Sequence, residues 1–396
     1  MARLLTFEDA LARILEHARP LAPERVDLLD ASGRVLAERA LARADLPPFA
    51  SSAMDGFAVR AEETPGEVPI AFRVAAGSPS SSPLPRAAAA TIATGGAVPE
   101  GADAVVPIEQ AEESDGRVRF TEQARPGAHI RPRGGDVRQD AVVVEPGIRL
   151  GPAQIGALAA AGVAEVGCSR KPHVAVLATG SELRAPGESL GQGEIFESNR
   201  SMIAAALEPA GATVELLPVV RDEEHAHREA LERGLAADIL VTSGGVSVGP
   251  HDLVRRIAAE LGVEEVFWGV AVKPGKPLSF GTRGETLVFG LPGNPVSSLV
   301  GAVLFVKPAV LARQGFAEPE PGFELARTGS ELRRDPHRDQ FLRARRTIGE
   351  DSVVVEAITG QESHMIVRAS SAGALVHVPR GSGEIAAGAT VRYLPI

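Results

Sequence analysis

HVAVLATG (residues 173–180) opens the part of the chain that decides the fold. From here on, apolar runs rich in β-branched residues alternate with amphipathic segments of helical length. The later runs are DILVTSGG (238–245), EVFWGVAV (265–272) and TLVFGLPG (286–293). This alternation predicts strands of a mostly parallel sheet with helices covering both faces. We therefore predict an α/β domain over residues 171–317.

The rest of the chain predicts further domains on both sides. Residues 1–45 look helical and alanine-rich, with a helix start at Thr6 and Asp9, and a helical pattern returns at GPAQIGALAAAGV (151–163). We assign 1–45 and 138–170 to one helical linker domain and expect its two helices to pair. Residues 46–137 are rich in glycine, proline and short alternating runs, which predicts an inserted irregular β domain.

After a proline-rich segment, residues 318–396 carry short alternating runs such as ATVRYLPI (389–396). Runs of this length, joined by glycine-containing turns, are typical of a small β-barrel-like domain. The complete prediction is a multidomain α/β plus β protein with an N-terminal helical segment.

Composition restricts the partners and the location. The 396 residues carry 41 Lys and Arg against 51 Asp and Glu, a net charge of −10, which argues against a general nucleic-acid or membrane surface. The N-terminus lacks the pattern of a signal peptide, and we expect a cytoplasmic protein. The apolar stretch from Pro295 to Val306 is shorter than the roughly 20 residues of a membrane span, so we expect a buried helix. The single cysteine, Cys168, suits a buried thiol.

Polar residues and glycines follow the predicted strands. Ligands of open α/β sheets bind beyond the carboxyl ends of the strands. The residues at those positions are Ser181 and Glu182, Asp222 and Glu223, Gly244 and Gly245 with Asp252, Lys273 and Lys276, and Pro292, Gly293 and Asn294. Two neighbouring ammonium groups repel unless an anion lies between them, carboxylates suit a divalent cation, and glycine amides can approach a phosphate. The set predicts a site for a phosphate-bearing ligand with a divalent cation.

Other interpretations remain open at this point. TSGGVSVG (242–249) is as consistent with a tight turn as with ligand contact, and Asn294 is equally suited to cap the helix that begins at Pro295. His225, His227 and His251 lack the spacing of metal ligands. Neither a P-loop nor a G-x-G-x-x-G motif occurs, so an ordinary NTPase and a dinucleotide oxidoreductase are unsupported.

Nine motifs in fixed order make the sequence similar to a known family. They are SSAMDGFAV (51–59), ATGGAVPEGADAVVPIEQ (93–110), RPRGGDV (131–137), ATGSEL (178–183), TSGGVSVG (242–249), KPGKP (273–277), LPGNPVSS (291–298), FLRAR (341–345) and QESHMI (361–366). With these the chain resembles the MoeA family of molybdopterin molybdenumtransferases, which includes the E domains of gephyrin and of plant molybdenum insertases. The resemblance extends over essentially the whole chain.

The resemblance implies a fold, a reaction and partners. It implies four domains per subunit and an elongated homodimer, whose active cleft lies between the α/β molybdopterin-binding domain of one subunit and loops of the other. A partner adenylyltransferase would deliver adenylylated molybdopterin. Its pyrophosphate would be hydrolysed in a step that depends on a divalent metal such as Mg²⁺, and molybdate would be ligated at the dithiolene.

The resemblance also implies roles for individual residues. The catalytic residues would be Asp55, Thr94, Glu182, Asp222, Asp252, Lys273 and Lys276, with Glu182, Asp222 and Asp252 on the metal side and the lysines holding molybdate or phosphate. The cofactor-binding residues would be Asp136, Gly244, Gly245, Ser247, Pro292, Gly293, Asn294, Ser297, Arg343 and Ser363.

The chain departs from the family pattern at a few positions. Ser181 stands where many relatives have aspartate, and Glu362 stands where glycine is frequent. Two other functions remain in view: a pterin-binding scaffold without activity, and adenylylation of molybdopterin. Retention of the lysines, the acidic residues and Arg343 favours the insertase over the scaffold, and the length of the chain favours it over an adenylyltransferase.

Overall fold

The computed structural model describes residues 4–245 and 253–396. The N-terminal part forms α1 (Phe7–His17), β1 (Pro23–Asp27) and β2 (Ala40–Leu41). Helix α1 begins as predicted, because the Thr6 hydroxyl accepts a hydrogen bond from the backbone N–H of Asp9 at 3.0 Å. Its buried face carries Phe7, Leu11 and Ile14.

The inserted β domain follows. Its strands are β3 (Ser51–Ser52), β4 (Gly56–Val59), β5 (Gly66–Val74), β6 (Ala89–Ile92), β7 (Ala104–Pro107), β8 (Ala111–Ser114), β9 (Arg117–Phe120) and β10 (Ile130–Arg131). Six of them form one sheet in the order β7-β4-β6-β5-β9-β8, and β3 pairs with β10. The chain then returns through β11 (Val142–Val144), α2 (Pro152–Ala160) and β12 (Glu165–Ser169). Strands β11 and β12 pair with β2 and β1, which closes a separate small core around Leu36, Leu150 and Leu158.

The α/β domain confirms the predicted sheet. Its elements are β13 (His173–Ala178), β14 (Leu183–Arg184), β15 (Ile195–Phe196), α3 (Asn199–Leu207), β16 (Thr213–Leu216), α4 (Glu224–Gly234), β17 (Ile239–Ser243), α5 (Leu253–Glu260), β18 (Glu264–Trp268), β19 (Val272–Lys273), β20 (Ser279–Arg283), β21 (Thr286–Leu291), α6 (Pro295–Gly301) and α7 (Lys307–Arg313). The main sheet has the order β16-β13-β17-β21-β20-β18. Its first four strands are parallel, and β20 and β18 complete it in antiparallel pairing.

Helices α6 and α7 are joined by a π-helical turn, Ala302–Val306, into one long helix. This helix, Pro295–Arg313, has 19 residues. By length and composition it is long and apolar enough to cross a membrane, so the expectation that the apolar stretch beginning at Pro295 is too short for a span was wrong. However, 72% of its most apolar window is buried inside the molecule. The prediction of a buried helix is therefore confirmed, and the helix packs as part of the core.

The C-terminal domain contains a closed barrel. Its elements are β22 (Glu324–Thr328), β23 (Leu332–Arg333), β24 (Asp339–Ile348), β25 (Val353–Ala357), α8 (Ile366–Ala369), β26 (Ala374–Val378), β27 (Glu384–Ile385) and β28 (Thr390–Pro395). The ring runs β24-β25-β22-β28-β26 and closes through the pairing of β26 with β24. Strand β19 of the α/β domain pairs in parallel with β24, so the barrel is joined to the strand that carries Lys273.

Two predictions about the elements were wrong. The region 1–45 has no α-helix beyond His17, only a 3₁₀ turn at Leu28–Asp30, because Pro20 and Pro23 lack the N–H that a continuing helix requires. Helix α1 also does not pair with α2. Instead, its Phe7 ring packs at 5.6 Å from the ring of Phe305 and at 5.3 Å from that of Phe341, which places α1 between the long helix and the barrel.

The predicted strand EVFWGVAV is split into β18 and β19. Gly269 stands between them with a φ of 87°, a left-handed conformation that ends the extended run. After this turn the chain leaves the main sheet and pairs with the barrel.

Asp238 joins the linker segment to the sheet. Its carboxylate accepts hydrogen bonds from both terminal nitrogens of Arg170, at 2.9 and 2.7 Å, and from the backbone N–H of His173 at 2.8 Å. Burial alone would raise the pKa of Asp238, but the Arg170 guanidinium and the His173 amide outweigh it and lower this pKa below its ordinary value.

We expect Asp238→Asn to lower the free energy of unfolding by about 2 kcal/mol at neutral pH, since hydrogen bonds to a charged group contribute roughly 1.5–3 kcal/mol. The carboxylate of the folded protein has the lower pKa, so its contribution is complete above about pH 4 and is lost as the pH falls through the folded-state pKa. Denaturant unfolding of both proteins between neutral and acid pH measures the difference, which should narrow on acidification.

Glu38→Gln is the matched control. Glu38 pairs with Arg25, and both side chains are more than half exposed, so the loss should stay below about 1 kcal/mol. An equal loss in the two variants, or a difference that does not change with pH, would contradict the role of Asp238.

Candidate active site at the carboxyl edge of the sheet

Three parallel strands end side by side. Ala178 of β13 lies opposite Ser243 of β17, and Ser243 lies opposite Leu291 of β21. The loops that follow, from Thr179, Gly244 and Pro292, therefore leave the sheet at the same edge. This confirms that three of the strand-end segments collected from the sequence lie next to one another.

A cleft of about 540 Å³ opens at this edge. Its lining includes polar groups from the loops after β13 and β21, from the end of β17 and from neighbouring segments: Thr179, Glu182, Glu197, Asn199, Ser243, Gly293, Asn294 and His364. Ile195 and Phe196 of β15 contribute an apolar wall, although both are about half exposed, at 54% and 46%. A polar floor with an apolar wall suits a ligand that combines a ring system with a phosphate.

The glycines of the cleft allow the loops to approach each other closely. A Cβ atom on Gly244 would lie 2.9 Å from the carbonyl oxygen of Thr179, and one on Gly293 would lie 3.7 Å from the Cα of Gly244. Gly244 and Gly245 also have φ values of 94° and 64°, which side chains disfavour. Backbone geometry alone therefore explains why glycine occurs at positions 244 and 245. Both positions follow β17 at the same edge of the sheet as the cleft.

Asp222 is held by the loop after β13. The hydroxyl of Ser181 donates to Asp222 Oδ2 at 3.0 Å and accepts from the backbone N–H of Asp222, also at 3.0 Å. The carboxylate of Glu182, one residue further, folds back towards Gly180, where an added Cβ would lie 2.7 Å from it. Ser181 therefore fixes Asp222 against the loop that carries Glu182.

Within residues 4–245 and 253–396, no group of three or more His, Cys, Asp and Glu side chains is placed to hold a metal ion. Glu182 and Asp222 are both described, whereas Asp252, the third predicted metal-side residue, and Ser247 lie outside the described residues. Glu197 also lines the cleft but is paired with Arg200 at 2.9 Å, so Glu182 and Asp222 are the carboxylates that the described part of the site offers to a cation.

The lysine loop reaches the same edge. Strand β20 begins at Ser279, opposite Gly290 near the end of β21, so Lys276 lies just beyond this edge. A Cβ on Gly275 would lie 3.7 Å from the carbonyl oxygen of Ser297, which places the loop against the first turn of α6. Lys273 and Lys276 are exposed, and neither forms an ion pair with a carboxylate of the described residues. Both ammonium groups are thus available to an external anion.

The barrel contributes a loop to the cleft. The guanidinium of Arg343 donates to the carbonyl oxygens of Met365 at 2.7 Å, Gly360 at 2.7 Å and Glu362 at 3.2 Å. Ser363 in turn accepts a hydrogen bond from the backbone N–H of Val296 at 3.0 Å, which docks the loop on α6. Arg343 is 1% exposed, so here it shapes the loop of Ser363 and His364 from inside.

Asp55, Thr94 and Asp136 lie in the inserted domain. Asp55 Oδ1 accepts a hydrogen bond from the backbone N–H of Thr94 at 2.7 Å, and the backbone N–H of Asp136 donates to the carbonyl of Leu46 at 2.9 Å. Strand β3, just before Asp55, also bonds to Gly95 and Gly96 and pairs with β10. The structure thus brings three motifs of this domain together. In the described part of the chain, no hydrogen bond or ion pair joins them to the cleft.

Sequence reasoning missed Asn199 and His364 as cleft residues. Asn199 is the first residue of α3, a position that reads as an ordinary helix start, and His364 lay unremarked inside the QESHMI motif. For Asn294 the sequence is equally consistent with a helix cap and with a ligand contact. It occupies the N-cap position of α6, but its side chain makes no capping hydrogen bond and lines the cleft.

Comparison with family models gives matches along the whole chain. Residues 5–162 match the MoeA N-terminal region with its domains I and II, residues 175–312 match a probable molybdopterin binding domain, and residues 326–396 match the MoeA C-terminal region, domain IV.

Individual relatives and structures agree with these matches. The chain is 34% identical to the molybdopterin molybdenumtransferase of Haemophilus influenzae, over 99% of this chain and 98% of that protein. It is 36% identical to molybdopterin molybdenumtransferase 2 of Mycobacterium tuberculosis, over 95% of each. A crystal structure of the molybdopterin biosynthesis MoeA protein from Pyrococcus horikoshii superposes with a TM-score of 0.84, at 30% identity over 99% of both chains. With relatives of this identity aligned from end to end, the chain belongs to the MoeA family of molybdopterin molybdenumtransferases.

Proposed function

We propose that this chain inserts molybdenum into molybdopterin during biosynthesis of the molybdenum cofactor. The substrates are adenylylated molybdopterin and molybdate. Water cleaves the pyrophosphate, which releases AMP and leaves the terminal phosphate on molybdopterin, and molybdate is ligated by the dithiolene sulfurs. The enzyme acts in the cytoplasm.

The arrangement of the strand ends is the main support for this proposal. The carboxyl ends of three parallel strands meet at one cleft, which combines an acidic side, glycine backbone and two exposed lysines in the adjoining loop. A phosphate-bearing substrate and an oxyanion require cations and backbone N–H groups, and hydrolysis of a pyrophosphate requires stabilisation of the negative charge that develops. The curated relatives named above support the identity of the substrate.

The residues divide between two tasks. Gly244, Gly293 and Asn294 would contact the phosphates through the backbone and the amide side chain. Lys273 and Lys276 would hold molybdate or the terminal phosphate, since compact ammonium groups suit tetrahedral oxyanions.

Glu182 and Asp222 suit Mg²⁺ because their carboxylates are hard oxygen donors. Protein sites often bind this ion with one or two carboxylates, and water and substrate phosphate complete the shell. The hydrogen bonds between Ser181 and Asp222 leave Asp222 Oδ1 without an assigned partner in the loop, so that oxygen can serve as a ligand. When bound, the ion would supply positive charge to the phosphate oxygens.

A homodimer would account for the separate position of the inserted domain. Asp55, Thr94 and Asp136 form no described hydrogen bond or ion pair to the cleft of their own chain, and in a dimer the inserted domain of one subunit would face the cleft of the other. An adenylyltransferase would deliver the substrate. Light scattering would test the dimer. Mixing one variant that is inactive in the inserted domain with another that is inactive in the cleft would test the shared site, because activity should return in the mixed dimer.

The direct test is release of AMP from adenylylated molybdopterin with magnesium, with and without molybdate. Release that molybdate stimulates, together with formation of active cofactor, is the expected result. Tight molybdopterin binding without any release would instead favour a scaffold that does no chemistry.

We expect Asp222→Asn to reduce the rate of AMP release by about 100-fold, the usual scale for removing one preorganised electrostatic group. The amide keeps an acceptor for Ser181 but loses the charge. Since Asp222 is exposed, the melting temperature should stay close to that of the wild type. Glu232→Gln removes an exposed carboxylate from α4, away from the cleft, and should leave the rate unchanged. A wild-type rate in Asp222→Asn would remove this residue from the site.

Lys276→Met tests the division of labour. The variant keeps the apolar stem and loses the charge, so we expect the KM for molybdate to rise about tenfold, or ~1.4 kcal/mol, with molybdopterin affinity nearly unchanged. Lys171→Met is the matched control, because Lys171 is exposed and precedes β13 at the opposite edge of the sheet. Equal losses for molybdate and molybdopterin would show that Lys276 does not act on the oxyanion alone.

A further inference from the structure

A chain of hydrogen bonds between buried side chains lies at the wall of the cleft, and we name its three side chains the rim network: Asn199, Ser243 and Ser298. The amide nitrogen of Asn199 donates to Ser243 Oγ and to the carbonyl oxygen of Gly293, both at 2.8 Å. The hydroxyls of Ser243 and Ser298 lie 3.1 Å apart, and Ser298 donates to the carbonyl oxygen of Pro292 at 2.9 Å. Exposures of 8%, 2% and 0% place all three inside the protein.

The rim network ties two ligand loops together beyond the end of the sheet. The pairing of β17 with β21 ends at Ser243 and Leu291, and one further backbone bond joins Gly244 to Leu291. Past this point the carbonyls of Pro292 and Gly293 are held by Ser298 and Asn199. The network therefore fixes the loop after β21 relative to the loop that begins at Gly244.

Asparagine is the residue that this junction requires. The carbonyl oxygen of Gly293 can only accept, so the nitrogen of the Asn199 amide must face it, and the same nitrogen also donates to Ser243. Serine or threonine has one O–H to donate, and an aspartate has none when ionised. The amide nitrogen of asparagine carries two N–H donors on one atom, and the side chain is short enough to place it between Ser243 and Gly293.

This choice has an energetic cost. Asn199 Oδ1 is buried and makes no hydrogen bond within residues 4–245 and 253–396. A buried acceptor without a partner is destabilising, because it has lost its hydrogen bonds to water. Native proteins keep few such groups, which marks the rim network as a functional junction rather than an ordinary packing contact.

Resting on the proposed function, we infer that Asn199 is a positioning residue for molybdopterin binding. It acts through Ser243 and Gly293, and it sets the spacing of the Gly244 and Gly293 backbone that receives the substrate phosphate. Ser298 acts in the same network from the side of α6. Loss of either residue should let the two loops separate and weaken ligand binding.

The experiment measures the dissociation constant of molybdopterin for the full chain and four variants. Asn199→Asp keeps the shape but turns the donor towards Gly293 into an acceptor, so we expect about tenfold weaker binding. Asn199→Ala and Ser298→Ala should weaken binding to a similar degree. In the double variant Asn199→Ala/Ser298→Ala the two losses should not add, because both residues act on the same pair of loops. A merely structural contribution to stability would not produce this coupling in ligand affinity.

Thr242→Val is the matched control. Thr242 precedes Ser243 in β17, is 1% exposed, and donates its hydroxyl to the carbonyl oxygen of Phe289 in β21 at 3.3 Å. The Thr242→Val variant thus removes one buried hydrogen bond between the same two strands, β17 and β21, outside the rim network. Its melting temperature should fall, while its affinity for molybdopterin should match that of the wild type.

The outcomes separate this inference from the proposed function. Failure of the wild type to bind molybdopterin would overturn the proposed function itself. Wild-type binding with Asn199→Asp and Ser298→Ala within about twofold of it would overturn only the positioning role. An equal loss of molybdopterin affinity in Thr242→Val would also overturn the positioning role, because the loss of affinity would then follow the stability of the protein. Ser298→Ala, which removes a single oxygen, keeps the test decisive if the Asn199 variants do not fold.

Discussion

The structure depends on the in-register ends of β13, β17 and β21. Parallel strands joined by helices must all point the same way, so whatever follows each strand is delivered to one edge. Ala178, Ser243 and Leu291 lie side by side, and every loop of the cleft in the α/β domain is positioned by this alignment. Residues far apart in sequence become neighbours, and hydrogen bonds such as that between Asn199 and Ser243 then join them.

The barrel and the N-terminal helix are built around that edge. Strand β19 leaves the main sheet after Gly269 and pairs with β24, which connects the lysine loop to the barrel through backbone hydrogen bonds. Phe7 fills the space between the long helix and the barrel, and the loop held by Arg343 docks on the first turn of α6. The cleft is therefore assembled from two domains within one chain, and its shape depends on how they are joined.

Local chemistry was predictable from the sequence, and packing between domains was not. The start of α1 follows from a side-chain cap between Thr6 and Asp9, and the strand ends follow from the periodicity of apolar runs. The partner of α1 depends on the rings of Phe305 and Phe341, from two distant segments, which leave no pattern in the sequence around it. The separation of β18 from β19 depends on one glycine conformation. Asn199 was missed because an asparagine at a helix start has a common structural explanation, and only the positions of Ser243 and Gly293 reveal its second task.

The lysine loop has a further consequence, because the chain is otherwise poor in primary amines. The four lysines are Lys171, Lys273, Lys276 and Lys307, and arginine supplies the remaining basic side chains. Lys307 is half-buried, and burial lowers its pKa, while Lys171 precedes β13 at the far edge of the sheet. Half of the side-chain amines in the molecule thus belong to one five-residue loop beside the cleft. An acylating reagent that selects amines would mark this loop together with the exposed Lys171, so the protection of the two loop lysines relative to Lys171 would report how much of the protein has ligand bound.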